Sequence, residues 1–242
     1  MTSEKSSTMS SQSFILLTPR LVIIPTPLAV HNKSYLNLYA SVHADASFCE
    51  MGFGAHFAPR NWTEEDTRET ILTRDIARCW RPRNMGDFAV GVRSTAHIDQ
   101  LTTRPVTGTN DELHIIEGQD AETITQALSH VEWVGYAGVR DATTTSLPPR
   151  TDTDPPLPHW LEMIEIRYGV APAYWGKGMA REAAEAVMQW AYRQRGVRRF
   201  VAETQKENSR SARVLEKMGF TRRDGIDYWK DEGEIEWERA LV

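Results

Sequence analysis

Apolar positions along this chain follow two rhythms, a short alternating run and a spacing of three to four, and the chain switches between them repeatedly. Ile15-Leu16-Leu17 and then Arg20-Leu21-Val22-Ile23-Ile24-Pro25 read as a first strand interrupted at Thr18-Pro19. Residues 28–48 read as helical, with Leu28, His31, Tyr35, Leu38, Tyr39 and Val42 near one face. Thr63 is placed to cap a second helix, with Glu64, Glu65 and Asp66 in its first turn. Its apolar stripe is Ile71, Leu72, Ile76, Cys79 and Trp80. Phe88–Val92 and Trp133–Val139 are the next strands, and residues 93–132 between them exceed what a hairpin needs. That insert holds one short strand, Leu113–Ile116, and a helical turn, Glu122–Leu128.

Glu162–Val170 is a central strand. The helix Met179–Arg195 follows, burying Ala180, Ala183, Ala184, Val187, Trp190 and Ala191 and exposing Arg181, Glu182, Glu185 and Arg193. Arg199–Thr204 is a strand, Asn208–Met218 a short helix, and residues 220–241 form two last strands joined near Lys230–Gly233. The order β-α-α-β-β-β-α-β-α-β-β, without internal repeats, describes an α+β or mixed α/β fold. It implies one domain over residues 14–242, with insert loops at about 95–131 and 143–159. Residues 1–13 are Ser/Thr-rich, lack the apolar core of a signal peptide, and read as a disordered tail.

Composition narrows the function classes. The 242 residues suffice for one domain with a sizeable core, and 40% hydrophobic with 25% charged residues is the balance of a soluble globular protein. A net charge of −5 argues against general nucleic-acid binding and is compatible with a cationic amine substrate. No apolar run is long enough to span a membrane. Cys49 and Cys79 form no paired motif, and the seven histidines are scattered, so a reducing, cytoplasmic setting without a metal is expected. Asn61-Trp62-Thr63 matches a glycosylation sequon, taken as chance in the absence of a secretory signal.

The most informative chemistry lies where the central strand runs into the long helix. Gly176 and Gly178 sit at the junction, where the backbone can approach a ligand closely and the free amides of the helix's first turn form an anion site. A Walker loop would need Lys followed by Ser or Thr after its last glycine, but Lys177 lies between the glycines. A dinucleotide fingerprint would need a small residue where Arg181 stands. Trp175-Gly176-Lys177-Gly178-Met179-Ala180 instead resembles the acyl-CoA loop of the GNAT (GCN5-related N-acetyltransferase) superfamily, Arg/Gln-x-x-Gly-x-Gly/Ala. Gly178 and Ala180 fill the last two fixed positions, and Trp175 departs from the first. The Tyr-Trp-Gly-Lys-Gly start, and the Leu-Thr-Pro-Arg-Leu opening at Leu17–Leu21, resemble the branch that acetylates ribosomal-protein N-termini (RimJ/RimL type) and its small-amine relatives.

A second motif, Asn208 to Phe220, resembles that family's N-x-x-S-x-x-x-x-x-K-x-G-F segment. The resemblance implies a GNAT-type acyl-CoA N-acyltransferase fold, a central mostly antiparallel sheet flanked by helices. It also implies acetyl-CoA as co-substrate and no metal. Trp175, Gly176, Lys177, Gly178, Met179 and Ala180 would hold the CoA pyrophosphate, Val170 the thioester carbonyl, Asn208 the pantetheine arm, and Ser211 would lie near the thiol. Lys177 and Arg181 either add charge there or are solvated side chains. Acetyl transfer to an amine needs a base, an oxyanion donor and a proton for the thiolate. Glu165 is the first choice as base, with Glu162 and Glu132 as alternatives, and each reads equally as a structural carboxylate. Ser211 reads equally as a helix-interior serine bonded to its own backbone. Tyr168, Tyr174 and Tyr228 are available as acids. The expected protein is an N-acetyltransferase, monomer or homodimer, acting on a small-molecule amine or a protein N-terminus. A non-catalytic acyl-CoA-binding protein on the same fold is the alternative. The two long loops, if ordered, are where acceptor specificity would sit.

Overall fold

The computed structural model describes residues 13–54, 56–93, 103–107, 112–128, 131–225 and 228–241. One sheet of ten strands runs through the whole molecule. Its members are β1 (Phe14–Leu17), β2 (Leu21–Pro25), β3 (Asp87–Val92), β4 (Arg104–Pro105), β5 (His114–Glu117), β6 (Trp133–Asp141), β7 (Ile164–Val170), β8 (Arg199–Gln205), β9 (Thr221–Arg222) and β10 (Glu234–Ala240). Their order is β4-β5-β1-β2-β3-β6-β7-β8-β10-β9. Every pair is antiparallel except β7 with β8.

The expected interruption at Thr18-Pro19 is a reversal. β1 and β2 pair antiparallel as Leu16↔Ile23 and Leu17↔Val22. Pro19 has no amide to extend a ladder, and the Thr18 hydroxyl accepts the Leu21 amide at 2.9 Å, closing the turn. The insert joins the sheet, with β5 adding to the free edge of β1 over four residues. Of the expected tail, residues 1–12 lie outside the described residues, and Ser13 is held by its hydroxyl on Glu122 and its carbonyl on the Gly118 amide.

Two helical layers cover the sheet. α1 (Lys33–Ala44), α2 (Ala46–Phe53) and α3 (Glu64–Ile71) belong to one face. The expected helix over 28–48 is divided because Asp45 is extended and its carboxylate caps α2 on the Phe48 amide. Thr63 and Asp66 form a reciprocal capping box at the start of α3. That helix continues as a wider π-wound stretch, Leu72–Trp80. A short helix in the insert, α4 (Gln119–Ala127), packs on β5. On the opposite face α5 (Met179–Arg195) crosses β6 and β7, and its Trp190 stacks on Phe14 at 5.0 Å and meets Phe88 edge-on at 5.2 Å. α6 (Ser209–Lys217) packs beside α5. Glu162 ends a 3-10 turn ahead of β7 rather than beginning the strand. Among the described residues, no helix is long and apolar enough to cross a membrane.

Candidate active site

The single parallel pairing breaks the sheet where the two motifs meet. β7 and β8 are seven residues each, yet they are in register only at Ile164↔Phe200 and Glu165↔Val201. Beyond that they part. On its other side β7 stays paired with β6 through Gly135↔Val170, and the Ala171 amide donates to the Val134 carbonyl. The next bonded antiparallel pair is therefore Gly169 with Tyr136, so the backbone groups of Tyr168 and Val170 turn away from β6 and into the opening. A buried strand leaves such groups bare only where something else can bond them.

The glycine turn stands at the head of this opening. Gly176 and Gly178 have φ of 76° and 79°, in the left-handed region that side chains resist. No atom lies within 4 Å of a side chain's starting position at Gly176, and only the Arg20 guanidinium approaches that position at Gly178. Gly178 caps α5 without a side-chain bond, so the amides of the first turn, from Met179 and Ala180 on, are left facing outward. The Trp175 and Lys177 amides are used inside the turn, on the Pro172 and Tyr174 carbonyls. These two expected cradle residues therefore shape the turn with their backbones. Trp175 does more with its side chain, whose indole donates to the Val170 carbonyl at 2.7 Å while the Arg210 guanidinium lies over its ring at 4.7 Å.

Sequence reasoning missed the brace under this turn. Arg20 donates to the Lys177 carbonyl at 3.0 Å and pairs with Glu182 at 2.6 Å, and the Thr18 hydroxyl donates to the same carboxylate. Glu182, expected on the exposed face of α5, thus fastens the β1–β2 turn to the cradle. The Thr-Pro-Arg of the opening was the available signal.

The second motif also falls at the opening. The Asn208 side-chain oxygen (Oδ1) accepts the Ser211 amide as a helix cap, and its side-chain nitrogen (Nδ2) donates to the Met51 carbonyl at 2.6 Å. Asn208 thereby ties α6 to α2 across the opening. The Ser211 hydroxyl lies 2.7 Å from the Tyr168 hydroxyl, which also donates to the Ser211 carbonyl at 3.2 Å.

The carboxylates sort differently from expectation. Glu165 is 3% exposed, held by Arg140 through two bonds of 2.9 Å and by the Ser146 hydroxyl. Burial alone would raise its pKa, but Arg140, Arg167 and Ser146 together hold it below the usual value. An acid locked in its charged form by two-pronged bonding is a poor proton acceptor, so the geometry speaks against Glu165 as base. Glu162 pairs with Arg198 at 3.9 Å, and Glu132 accepts from the Tyr174 hydroxyl at 2.5 Å. That bond, ahead of burial, pushes the Tyr174 hydroxyl up to about 12. Tyr228 is bonded by Arg199. Glu203, not singled out from sequence, is half-buried on β8 just past the last paired residue. Burial, with the charges of Glu165 and Glu234, pushes it up to about 8. Its only mark in the sequence is a carboxylate directly after the apolar run Phe200-Val201-Ala202, within the strand.

A cavity of about 440 Å³ opens on the face carrying α1 to α3, with Tyr39, His43, Phe53, Asp87, Arg140 and Arg167 among its walls. Asp87 pairs with Arg167 at 3.1 Å across β6. Gly138 stands between them, and a side chain there would begin 2.0 Å from the Asp87 carboxylate. Among the described residues no group of acids, histidines and cysteines could hold a metal.

An open glycine turn at a helix start, beside two diverging parallel strands, is the arrangement expected from the resemblance to the GNAT fold. Comparison with known proteins agrees. Residues 124–221 match the acetyltransferase (GNAT) domain family. It is 29% identical over 89 residues to an Aspergillus fumigatus FsC-acetyl coenzyme A-N(2)-transacetylase, covering 37% of this chain and 38% of the relative. It is 39% identical over 62 residues to the uncharacterized N-acetyltransferase YnaD of Bacillus subtilis, covering 26% and 36%. The chain thus spans well under half the length of the curated relatives it matches. An acetyltransferase structure from Agrobacterium tumefaciens shares the fold over 94% of both chains, with a TM-score of 0.57 and 17% identity.

Proposed function

We propose that the protein is an acetyl-CoA-dependent N-acetyltransferase that moves an acetyl group directly to a primary amine. The observation that carries this reading is the parting of β7 and β8 beside an open cradle, because an extended thioester arm needs both. The amides from Gly176, Gly178, Met179 and Ala180 would hold the pyrophosphate at the positive end of α5. Bound acetyl-CoA supplies an acetyl group activated as a thioester. The Val170 amide, free of β6, polarises the carbonyl. Glu203, on the β8 wall of the opening, takes the proton from the amine. The Tyr168 and Ser211 hydroxyls, paired at 2.7 Å, supply a proton to the departing sulfur.

The acceptor enters from the face of the 440 Å³ cavity, a volume suited to a small molecule or a chain terminus. Free, buried Cys49 and Cys79 support a cytoplasmic setting. Incubation with acetyl-CoA and a panel of primary amines, following free thiol, tests the reading. Thiol release that depends on the amine is expected. Tight acetyl-CoA binding with no release across a broad panel would instead favour the non-catalytic acyl-CoA-binding role.

A further inference from the structure

The charge of the cavity is opposite to that of the chain. The whole chain carries −5, yet the cavity's lining holds five arginines against two aspartates. Two of those arginines are spoken for, Arg140 by Glu165 and Arg167 by Asp87. Asp75 adds little negative charge, since burial and the neighbouring Asp87 push it up to about 8. The remaining three, Arg60, Arg74 and Arg78, make no ion pair with a described residue, and all three are exposed at the rim. Arg60 reaches from the segment before α3 and lies 5.4 Å from the Phe57 ring centre. Arg74 and Arg78 share a face of the π-wound stretch, and Arg78 donates to the Thr144 and Thr145 carbonyls at the start of the 143–159 loop.

Between rim and sheet the walls are aromatic. Tyr39 stacks on His43 at 4.4 Å and lies nearly parallel to Trp62 at 6.2 Å, and Phe53 meets Phe57 at 4.6 Å. Burial lowers the His43 pKa, so its ring is an uncharged wall near neutrality.

We propose that the acceptor of this site is a small amine that also bears a carboxylate or phosphate, joined through an aromatic or apolar body. The proposal rests on the N-acetyltransferase reading above and names the substrate class for it. The amine points to the β7–β8 opening, the body lies along the aromatic wall, and the anion sits among Arg60, Arg74 and Arg78. Guanidinium groups suit this task because they stay charged and present paired donors that match carboxylate and phosphate. A simple cationic amine would meet like charge at the rim and, among the described residues lining the cavity, no exposed carboxylate.

Matched pairs decide it: phenylalanine against phenylalaninamide for a carboxylate, and O-phosphotyramine against tyramine for a phosphate. Free thiol release gives kcat/KM, and calorimetry on the CoA-loaded protein gives affinity. The anionic member of at least one pair is expected to be favoured about tenfold or more. In Arg74→Ala and Arg60→Ala that preference is expected to fall about tenfold, with the neutral partner within twofold and CoA affinity unchanged. Which pair responds separates carboxylate from phosphate. Neutral members equal to or better than anionic ones in both assays would overturn the proposal. So would an Arg74→Ala variant that loses CoA affinity in step, since the rim would then serve the donor. If CoA binds and nothing turns over, the calorimetric preference and its loss in Arg74→Ala still decide the matter. If CoA itself fails to bind, the N-acetyltransferase reading falls, and the same titrations without CoA judge the rim separately.

Discussion

Glu165 and Glu203 carry the same side chain on neighbouring strands, and their surroundings drive them apart. The Arg140 fork and the nearby Arg167 charge hold Glu165 charged, whereas Glu203 is pushed up to about 8 by burial and by like charge. If Glu203 takes the amine's proton, its ionised form is the active one. The rate should therefore rise as pH climbs through about 8 and level off above it. Glu203→Gln is expected to lower kcat by roughly 100-fold and to flatten that limb, with CoA affinity retained; a pH–rate profile of both proteins checks it. Sequence could not separate the two acids, because each is a glutamate inside a strand and the difference lies in side chains brought from β6 and the 143–159 loop. Gly178 was legible, since its left-handed φ is what the motif requires. Gly178→Glu would place a strained, negatively charged side chain on the proposed pyrophosphate site. Loss of the CoA-induced rise in Tm, with a folded apo-protein, is the expected outcome.

At the scale of elements, local signals were read correctly at α5 and at the start of α3. Met179–Arg195 is a helix over the residues its pattern marked, starting at Gly178 and ending at Gly196 in a left-handed turn. The Thr63 cap with its acidic first turn is also present, as a full capping box. Thr63→Ala should then cost about 1 kcal/mol of stability, seen as a lower denaturant midpoint with unchanged slope. Partners distant in sequence were not legible. The expected short strand of the insert is present as β5, but nothing in Ile15–Leu17 states that β5 will pair with it from about a hundred residues away and build one side of the sheet. The division at Asp45 was visible only as an Asp three residues before Phe48, within an otherwise continuous helical rhythm.

For the whole molecule, one sheet must hold together while opening in its middle. Past Glu165↔Val201, β8 pairs among the described strands with β10 alone, and on the β7 side the Trp175 indole takes the Val170 carbonyl in place of a neighbouring strand. The charged clamps lie next to that gap: Arg140–Glu165 joins β6 to β7, and Asp87–Arg167 joins β3 to β7 across Gly138. Glu165 is thus expected to act on stability rather than on proton transfer. Because its folded pKa lies below its ordinary 4.5, its contribution is complete above that value and is lost as pH falls through the lower, folded one. Asp75 works in the other direction: its folded pKa of about 8 exceeds its ordinary 3.8, so stability declines as pH rises between them. Glu165→Gln leaves the Arg140 guanidinium, largely enclosed, without its counter-charge, and should cost about 3 kcal/mol near neutrality. The gap between variant and parent should close as pH drops below 4.5, because the parent then loses the same charge. Chemical unfolding at a series of pH values measures it. A variant as stable as the parent near neutrality, but with turnover abolished and the pH limb gone, would return Glu165 to the role of base and leave the sheet's opening held by something other than these two clamps.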